Sequence, residues 1–212
     1  MGDQNKIKNV VLDLGGVLVD IDPQKTLDAM MKLIAPESSL KPDWAELNNV
    51  VLAMEVGKWS QEEFILKMKE VCKPNVTEAE IIDAWCVMLL HFPSLRVDMV
   101  RLLSDRYRVF LLSNTNKIHV NSFEQQFESC YGFPMQNLFE KVFYSNEIGC
   151  RKPASEAFLH VLNHAGLNPA ETVMVDDRLD NCQGAEAVGM HYINVPENTG
   201  LEAVVDQLIN VN

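Results

Sequence analysis

The sequence predicts an α/β protein in which helices cover both faces of a parallel sheet, with a helical insertion after the first strand. Short apolar runs rich in β-branched and aromatic residues recur along the chain, and segments with helical periodicity separate them. One long interval breaks this alternation, because it contains helical segments but no strand pattern. Strands that alternate with helices are typical of parallel sheets whose two faces are both buried.

The apolar runs predict five buried strands. They are Asn9–Leu14, Tyr107–Ser113, Lys141–Ser145, Thr172–Asp176 and His191–Val195. Periodicity predicts helices around Asp98–Asp105, His119–Ser129, Ala154–Ala165, Asn181–Val188 and Leu201–Ile209. We expect residues 1–22 and 98–212 to form one α/β core domain.

Residues 23–97 form the interval without strands. Its amphipathic segments predict helices at Thr26–Ile34, Pro42–Val56, Gln61–Cys72 and Thr77–His91. Ser60 with Glu63, and Thr77 with Glu80, match the pattern of a capping box. Because no low-complexity linker interrupts the interval, we expect a compact helical cap above the carboxyl ends of the strands, where open α/β sheets bind ligands.

The charge balance limits the classes of partner. Of 212 residues, 30 are acidic and 18 are basic, which gives a formal net charge of −12, and 47% are hydrophobic. Without a basic patch, neither nucleic acid nor a membrane is expected as a partner. No apolar run predicts a signal peptide or a membrane helix, so we expect a cytoplasmic protein. We expect it to be a monomer or a weak homodimer. An anionic ligand would need a metal ion, a helix N-terminus or a well-placed Lys.

Two of the predicted strands end in carboxylates. Asp13 lies near the end of the first apolar run and precedes Gly15 and Gly16, and Asp176 and Asp177 lie at the end of the fourth. A buried carboxylate is costly unless it is hydrogen-bonded or binds a metal, and hard oxygen ligands suit Mg²⁺. The alternatives are an Asp that only caps the next turn and a turn with two solvated acids.

Two further segments offer groups that bind anions. Ser113 and Asn114 end the second strand just before a helix, where hydroxyl and backbone N–H groups suit a phosphate or carboxylate. Lys152 precedes the helix that begins near Ala154, and it could neutralise a carboxylate or a phosphate. An ordinary N-cap and a solvated Lys are the alternatives for these two segments.

Taken in chain order, the strand-end residues resemble the four motifs of the haloacid dehalogenase superfamily; they are Asp13, Ser113, Lys152 and the pair Asp176 and Asp177. The strings LDLGGVLVDID, LLSNTN, RKP and VDDRLDN are similar to those of its bacterial sugar-phosphate phosphatases, in particular the α-D-glucose-1-phosphate phosphatase type. The resemblance implies a Rossmann-like core with a helical cap of the C1 type inserted after the first motif. The interval 23–97 matches that cap in position.

The resemblance also implies roles for the matching residues. Asp13 would attack phosphorus to form an aspartyl-phosphate that water then hydrolyses. Ser113 and the backbone of Asn114 would bind the phosphoryl oxygens, and Lys152 would offset the negative charge. The implied activity is the hydrolysis of small phosphorylated metabolites, most simply sugar phosphates such as glucose 1-phosphate.

A Mg²⁺ cofactor follows from the same resemblance. Its protein ligands would be the carboxylate of Asp13, the carbonyl of Gly15 and the carboxylate of Asp177. Asp176 or Asn181 would orient metal-bound water. The cap segment Glu55–Lys58 is a candidate for contact with the substrate, since capped members often use a cap loop for selectivity.

The position of Gly15 departs from most phosphatases of the superfamily. They carry a second Asp there, two residues after the nucleophile, as general acid and base. Three explanations are open: the leaving group needs little help, as with an anomeric sugar alkoxide; Asp20 or Asp22 substitutes; or catalysis is weak. The same departure leaves two alternative functions, a 2-haloacid dehalogenase, which needs no proton donor, and a binding protein that has lost catalysis.

Overall fold

The computed structural model describes residues 6–36, residue 38 and residues 44–210. Five strands form one sheet in the order β3-β2-β1-β4-β5, and every neighbouring pair is parallel. They are β1 (Asn9–Leu12), β2 (Arg108–Ser113), β3 (Lys141–Tyr144), β4 (Thr172–Asp176) and β5 (His191–Asn194). The prediction of a parallel α/β sheet is confirmed, and all five strands lie where the apolar runs placed them.

The strand order creates a crevice beside β1. The chain runs from β1 outward to β2 and β3, and then crosses to β4 and β5 on the other side. Leu12 at the end of β1 is in register with Leu111 on β2 and Val175 on β4. The residues that follow these positions therefore meet at one edge of the sheet, at the point where the strand order reverses and ligands bind in such folds.

Both faces of the central strands are covered. All residues of β1 and β4 are buried, and two separate apolar clusters pack on the two sides of the sheet. The two edge strands are less buried, since Lys141 of β3 and His191, Tyr192 and Asn194 of β5 are exposed. The prediction of a fully buried fifth strand was wrong, because β5 pairs only with β4 and lies at the edge of the sheet.

Four helices follow β1, and they occupy the interval predicted to form the cap. They are α1 (Pro23–Leu33), α2 (Trp44–Glu55), α3 (Gln61–Val71) and α4 (Glu78–Cys86). They share an apolar cluster centred on Phe64 and Trp85, to which Ile118 also contributes. The first two residues of the predicted helix Pro42–Val56 lie outside the described residues. The core–cap boundaries at residues 22 and 97 stay a prediction.

Both predicted capping boxes are present. Glu63 N donates to Ser60 Oγ at 3.2 Å, and Ser60 N donates to Glu63 Oε2 at 2.7 Å. Thr77 and Glu80 exchange the equivalent bonds at the start of α4. Each box satisfies backbone donors that the first turn of a helix leaves without intrahelical partners.

Two chain segments connect these four helices to the rest of the protein. Asp20 N donates to His91 O at 3.0 Å, and Leu90 N donates to Asp20 O at 2.9 Å. The segments run antiparallel, with an isolated bridge between Ile21 and Leu89. This pairing explains why α4 ends at Cys86, although its pattern predicted a helix as far as His91.

Six helices and three short 3₁₀ turns complete the described chain. The helices are α5 (Ser94–Ser104), α6 (Lys117–Tyr131), α7 (Ser145–Ile148), α8 (Ser155–Ala165), α9 (Leu179–Ala187) and α10 (Val205–Asn210). The helix predicted at Leu201–Ile209 is divided into a 3₁₀ turn, Leu201–Ala203, and α10. Of the helices in the described ranges, none has the length and apolar character needed to cross a bilayer.

Candidate active site

Three carboxylates meet at the carboxyl ends of β1 and β4. Asp13 continues the strand pairing, since its N–H donates to Val175 O at 2.9 Å, and Asp176 and Asp177 follow Val175 directly. One carboxylate oxygen from each of the three residues lies within 4.8 Å of the others. Parallel neighbouring strands thus bring together residues that are far apart in the sequence.

Gly16 allows the loop after β1 to pass against Asp177. Its φ of +74° lies in the left-handed region, and a Cβ added there would lie 2.4 Å from Asp177 Oδ2. Glycine is needed at this position both for its backbone conformation and for the close approach. The sequence drew attention to the two glycines, but the structure identifies Gly16 as the one in contact with the acidic cluster.

Lys152 is the cation of the site and is fully buried. Its Nζ lies 2.7 Å from Asp13 Oδ1 and 2.6 Å from Asp176 Oδ2. Burial by itself would lower the pKa of Lys152, but the two carboxylates raise it above its usual value. Lys152 therefore stays protonated and holds Asp13 and Asp176 in place.

The Asn114 side chain fixes the backbone of Lys152. Lys152 N donates to Asn114 Oδ1 at 2.9 Å, and Asn114 Nδ2 donates to Lys152 O at 2.8 Å. This reciprocal pair joins the end of β2 to the loop before α8, so the position of the ammonium group depends on it. The sequence indicated only the backbone of Asn114 as a functional group and did not predict this contact.

Asp176 has its hydrogen-bonding capacity largely filled. It accepts hydrogen bonds from Lys152 Nζ, from Arg178 N at 2.9 Å and from Asn181 Nδ2 at 2.9 and 3.1 Å. It is completely buried. Asp176 therefore holds Lys152 in position. Of these two neighbouring acids, Asp177 is the one more available to bind a further ligand.

The cluster contains more acidic side chains than basic ones. Burial raises the pKa of Asp13 to about 7 against the opposing effect of Lys152, and Asp176 and Asp177 raise it further. Burial and Asp176 likewise raise the pKa of Asp177. Three carboxylates beside one Lys leave excess negative charge, and such a set of hard oxygen ligands fits a divalent cation such as Mg²⁺.

Ser113 lies at the end of β2, next to β1, and is 3% exposed. Beyond it the loop is held to α7, since Thr115 N donates to Ser145 Oγ at 2.9 Å and Ser145 Oγ donates to Thr115 O at 3.1 Å. Asn116 then caps α6 by accepting from His119 N. Ser113 and Asn114 thus lie on a loop that hydrogen bonds attach to α7, and the attachment through Ser145 had no recognisable signal in the sequence.

Asp20 and Asp22, the two acids considered as substitutes for a second catalytic Asp, have other contacts. Asp20 Oδ1 accepts from Arg96 Nη1 at 2.8 Å, and its Oδ2 lies 3.3 Å from His91 Nε2. Asp22 Oδ1 accepts from Gln24 N and caps α1. Both acids therefore serve the segments that connect α1–α4 to the core.

One ion pair links α2 to the loop that carries Lys152. Arg151 Nε lies 2.6 Å from Glu55 Oε2, and both side chains are largely buried. Two residues later, a Cβ added to Gly57 would lie 2.5 Å from Asn146 O, so this end of α2 lies close against α7. The structure therefore places the start of the segment Glu55–Lys58 beside the site, through an Arg that the sequence did not single out.

A family model described as haloacid dehalogenase-like hydrolase matches residues 7–189. The chain belongs to this family. The match extends from before β1 to the end of α9, so this hydrolase family accounts for all four strand-end segments and for the helices α1–α4 between the first two.

Similar proteins support the same assignment. The hydrolase is 31% identical to a D-ribitol-5-phosphate phosphatase of Bacteroides thetaiotaomicron. The match covers 91% of this chain and 93% of the relative. It also resembles a solved haloacid dehalogenase family enzyme of that organism, with a TM-score of 0.87, 30% identity and coverage of 94% of this chain and 98% of the other. A structure of such an enzyme in complex with magnesium and inorganic phosphate has a TM-score of 0.84 and 29% identity over 93% and 98% of the two chains.

Proposed function

We propose that this haloacid dehalogenase-like hydrolase is a Mg²⁺-dependent phosphatase of small sugar or sugar-alcohol phosphates. The observation that carries the proposal is the contact of one buried Lys152 with Asp13 beside the three-carboxylate cluster. The similar D-ribitol-5-phosphate phosphatase and the magnesium and phosphate complex of a related enzyme support both the substrate class and the metal.

Asp13 acts as the nucleophile in this proposal. A carboxylate oxygen forms a bond to phosphorus while the bond from phosphorus to the leaving oxygen breaks, which gives an aspartyl-phosphate. Water then attacks the phosphorus of this intermediate, which releases phosphate and regenerates Asp13. Lys152 favours the ionised form of Asp13 and orients it throughout, because its ammonium group is itself held between Asp13 and Asp176.

Ser113 and the backbone of Asn114 bind the phosphoryl oxygens in this proposal, from the loop that Ser145 and Lys152 hold in place. Asp13, the Gly15 carbonyl and Asp177 would hold the Mg²⁺ ion. A bound Mg²⁺ supplies positive charge that lets an anionic ester approach the carboxylates and stabilises charge on the phosphoryl oxygens.

Replacement of the nucleophile tests the proposal. Asp13→Asn keeps the shape of the side chain but removes the attacking carboxylate, so we expect no measurable turnover of any phosphate ester. Asp98→Asn, on the exposed surface of α5, is the matched control and should keep full activity. The measurement is phosphate release from a panel that includes glucose 1-phosphate and ribitol 5-phosphate, with Mg²⁺ or EDTA, alongside circular dichroism spectra. Wild-type turnover by Asp13→Asn would contradict the mechanism.

Gly15 favours a second candidate, a 2-haloacid dehalogenase, because release of halide needs no proton donor. The same panel should therefore include 2-haloacids. Halide release that is independent of metal, without hydrolysis of phosphate esters, would establish the dehalogenase. No turnover of either class of substrate would indicate a binding protein.

A further inference from the structure

The proposed phosphatase still needs a proton source for its leaving group. The alkoxide of a sugar alcohol is a poor leaving group, and general acid catalysis is typically worth about 10²–10⁴-fold in rate. Gly15 offers no side chain, and Asp20 and Asp22 are bound to Arg96 and to the start of α1.

The geometry of phosphoryl transfer restricts where a general acid can lie. In phosphoryl transfer the attacking and leaving oxygens lie roughly in line on opposite sides of phosphorus. Asp13 lies at the end of β1, and its side chain is only 11% exposed. The leaving oxygen must therefore point away from Asp13. Glu55 of α2 contacts the loop of Lys152, whose ammonium group is bound to Asp13, so its carboxyl lies near the site.

Glu55 differs from the other acidic side chains of this region. The acids of α1, α3 and α4 are all exposed, whereas the Glu55 side chain, at the end of α2, is 13% exposed. Its contact, Arg151, directly precedes Lys152 in the chain. Lys152 and Arg178 also act on the charge of Glu55, so the carboxyl belongs to the electrostatic surroundings of the site.

The contact with Arg151 does not use all the hydrogen-bonding capacity of Glu55. Glu55 Oε2 and Arg151 Nε lie 2.6 Å apart as an ion pair, and both atoms are buried. An ionised carboxyl group can accept about four hydrogen bonds. A hydroxyl or a leaving oxygen of the substrate can therefore also bind to Glu55.

We propose that Glu55 is the general acid and base of this enzyme, in place of the carboxylate missing at Gly15. In the first step the Glu55 carboxyl gives its proton to the leaving oxygen as the bond from that oxygen to phosphorus breaks and Asp13 becomes phosphorylated. In the second step the Glu55 carboxylate accepts a proton from water as the water oxygen bonds to phosphorus and Asp13 is released. One proton leaves and one returns, so Glu55 ends the cycle as it began.

The surroundings of Glu55 suit both steps. Burial raises its pKa, while Arg151, Lys152 and Arg178 oppose the rise, so a larger fraction is protonated near neutral pH than for an exposed Glu. Once the proton is lost, the nearby Arg151 stabilises the carboxylate. These are the properties that acid catalysis followed by base catalysis requires.

This inference rests on the proposed phosphatase function, and the dependence on the leaving group tests it. Glu55→Gln keeps the shape of the side chain but cannot supply the proton. We expect kcat on a sugar-alcohol phosphate to fall by about 10²–10⁴-fold, and kcat on p-nitrophenyl phosphate to fall far less, because nitrophenolate leaves without protonation.

Two further variants separate catalysis from structure. Arg151→Gln removes the ion pair but keeps the carboxyl, and it should lower both rates to a similar extent. Glu70→Gln, on the exposed face of α3, is the matched control and should change neither rate. Circular dichroism and thermal unfolding establish that each variant is folded.

The outcomes distinguish this inference from the function beneath it. Equal losses on the two substrates in Glu55→Gln, of the size seen in Arg151→Gln, would overturn the acid role and leave Glu55 as a structural contact. If wild-type protein hydrolysed no phosphate ester with Mg²⁺ present, the proposed function itself would fail.

Discussion

Gly16 is the residue at which the backbone and the acidic cluster constrain each other most directly. Its positive φ disfavours other residues, and Asp177 fills the space that a Cβ would occupy. Gly132 has nearly the same φ, +76° against +74°, but a Cβ added there would meet nothing within 4 Å. Substitution of the two glycines therefore separates the cost of the left-handed backbone conformation from the cost of the contact with Asp177.

We predict that Gly16→Ala and Gly132→Ala affect the enzyme differently. Each variant should lose about 1–2 kcal/mol of unfolding free energy from left-handed backbone strain. Gly16→Ala should also displace Asp177 and lower kcat/KM by about 10²-fold, since a shift of about 1 Å at a reacting centre can cost that much. Denaturant unfolding and steady-state kinetics measure the two effects. Equal activity in the two variants would show that Asp177 does not need its present position.

Residue types at strand ends could be predicted from the sequence, but their partners could not. Asp13 and Asp177 were recognisable because carboxylates directly after apolar strands are costly without a use. The side-chain contacts of Asn114 with Lys152 and of Glu55 with Arg151 join segments that are distant in the chain. No local pattern encodes such pairs, because they depend on how the elements pack.

The elements themselves were largely predictable, with errors where tertiary contacts decide. The alternation of apolar runs and helical periodicity placed all five strands, and the capping boxes marked the starts of α3 and α4. The exposure of β5 depends on its place at the sheet edge, and the end of α4 depends on pairing with the segment after β1. Neither is a property of the local sequence.

His119 joins α6 to α4. Its Nε2 lies 3.0 Å from Trp85 O, and Asn116 Nδ2 lies 3.2 Å from its Nδ1. A carbonyl can only accept, so Nε2 carries the hydrogen and Nδ1 accepts from the Asn116 amide. Burial lowers the pKa of His119 to about 4, although the bond to Trp85 opposes the shift.

This arrangement predicts a loss of stability in acid. The usual His pKa is about 6.5, so below that pH the unfolded chain takes up a proton that folded His119 takes up only near pH 4. The contribution of the neutral ring is thus complete above pH 6.5 and is lost as the pH falls toward 4. Its size, on the order of 3 kcal/mol, follows from about 1.36 kcal/mol for each unit of pKa difference.

His119→Gln tests this prediction, because Gln can donate and accept but does not titrate. Denaturant unfolding at several pH values between 4 and 8 should show a weaker loss of stability in the variant than in wild type. His164→Gln, on the exposed surface of α8, is the control and should follow wild type. A His119→Gln profile parallel to that of wild type would assign the acid sensitivity to other groups.

At the scale of the whole molecule, the net charge of −12 affects how an anionic substrate can bind. An anionic substrate approaches an acidic protein and must enter a site that already holds three carboxylates and one buried Lys. The net negative charge of the protein repels an anionic substrate at long range, so positively charged groups at the site have to reverse the electrostatic field there. Lys152 is already paired with Asp13 and Asp176, so in the proposed function the Mg²⁺ ion would be the group that makes phosphate binding favourable.

The metal should therefore act on stability and on phosphate affinity together. We predict that Mg²⁺ at 100 times its dissociation constant raises the unfolding free energy of wild type by about 2.7 kcal/mol, the value for a ligand that binds only the folded state. Asp177→Asn should lose most of this response. Without Mg²⁺ the variant should be at least as stable as wild type at pH 8, because burial and Asp176 already disfavour the ionised form of Asp177. Asp180→Asn is the matched control in the same segment, since its exposed carboxylate pairs with Arg178.

Thermal unfolding with EDTA or Mg²⁺ measures the first effect, and calorimetric titration with inorganic phosphate measures the second. Wild type and Asp180→Asn should bind phosphate only with Mg²⁺ present, and Asp177→Asn should bind it weakly under both conditions. Equal stabilisation of all three proteins by Mg²⁺ would place the ion elsewhere on the acidic surface. Phosphate binding by wild type in EDTA would show that Lys152 and the loop of Ser113 overcome the negative field without a cation.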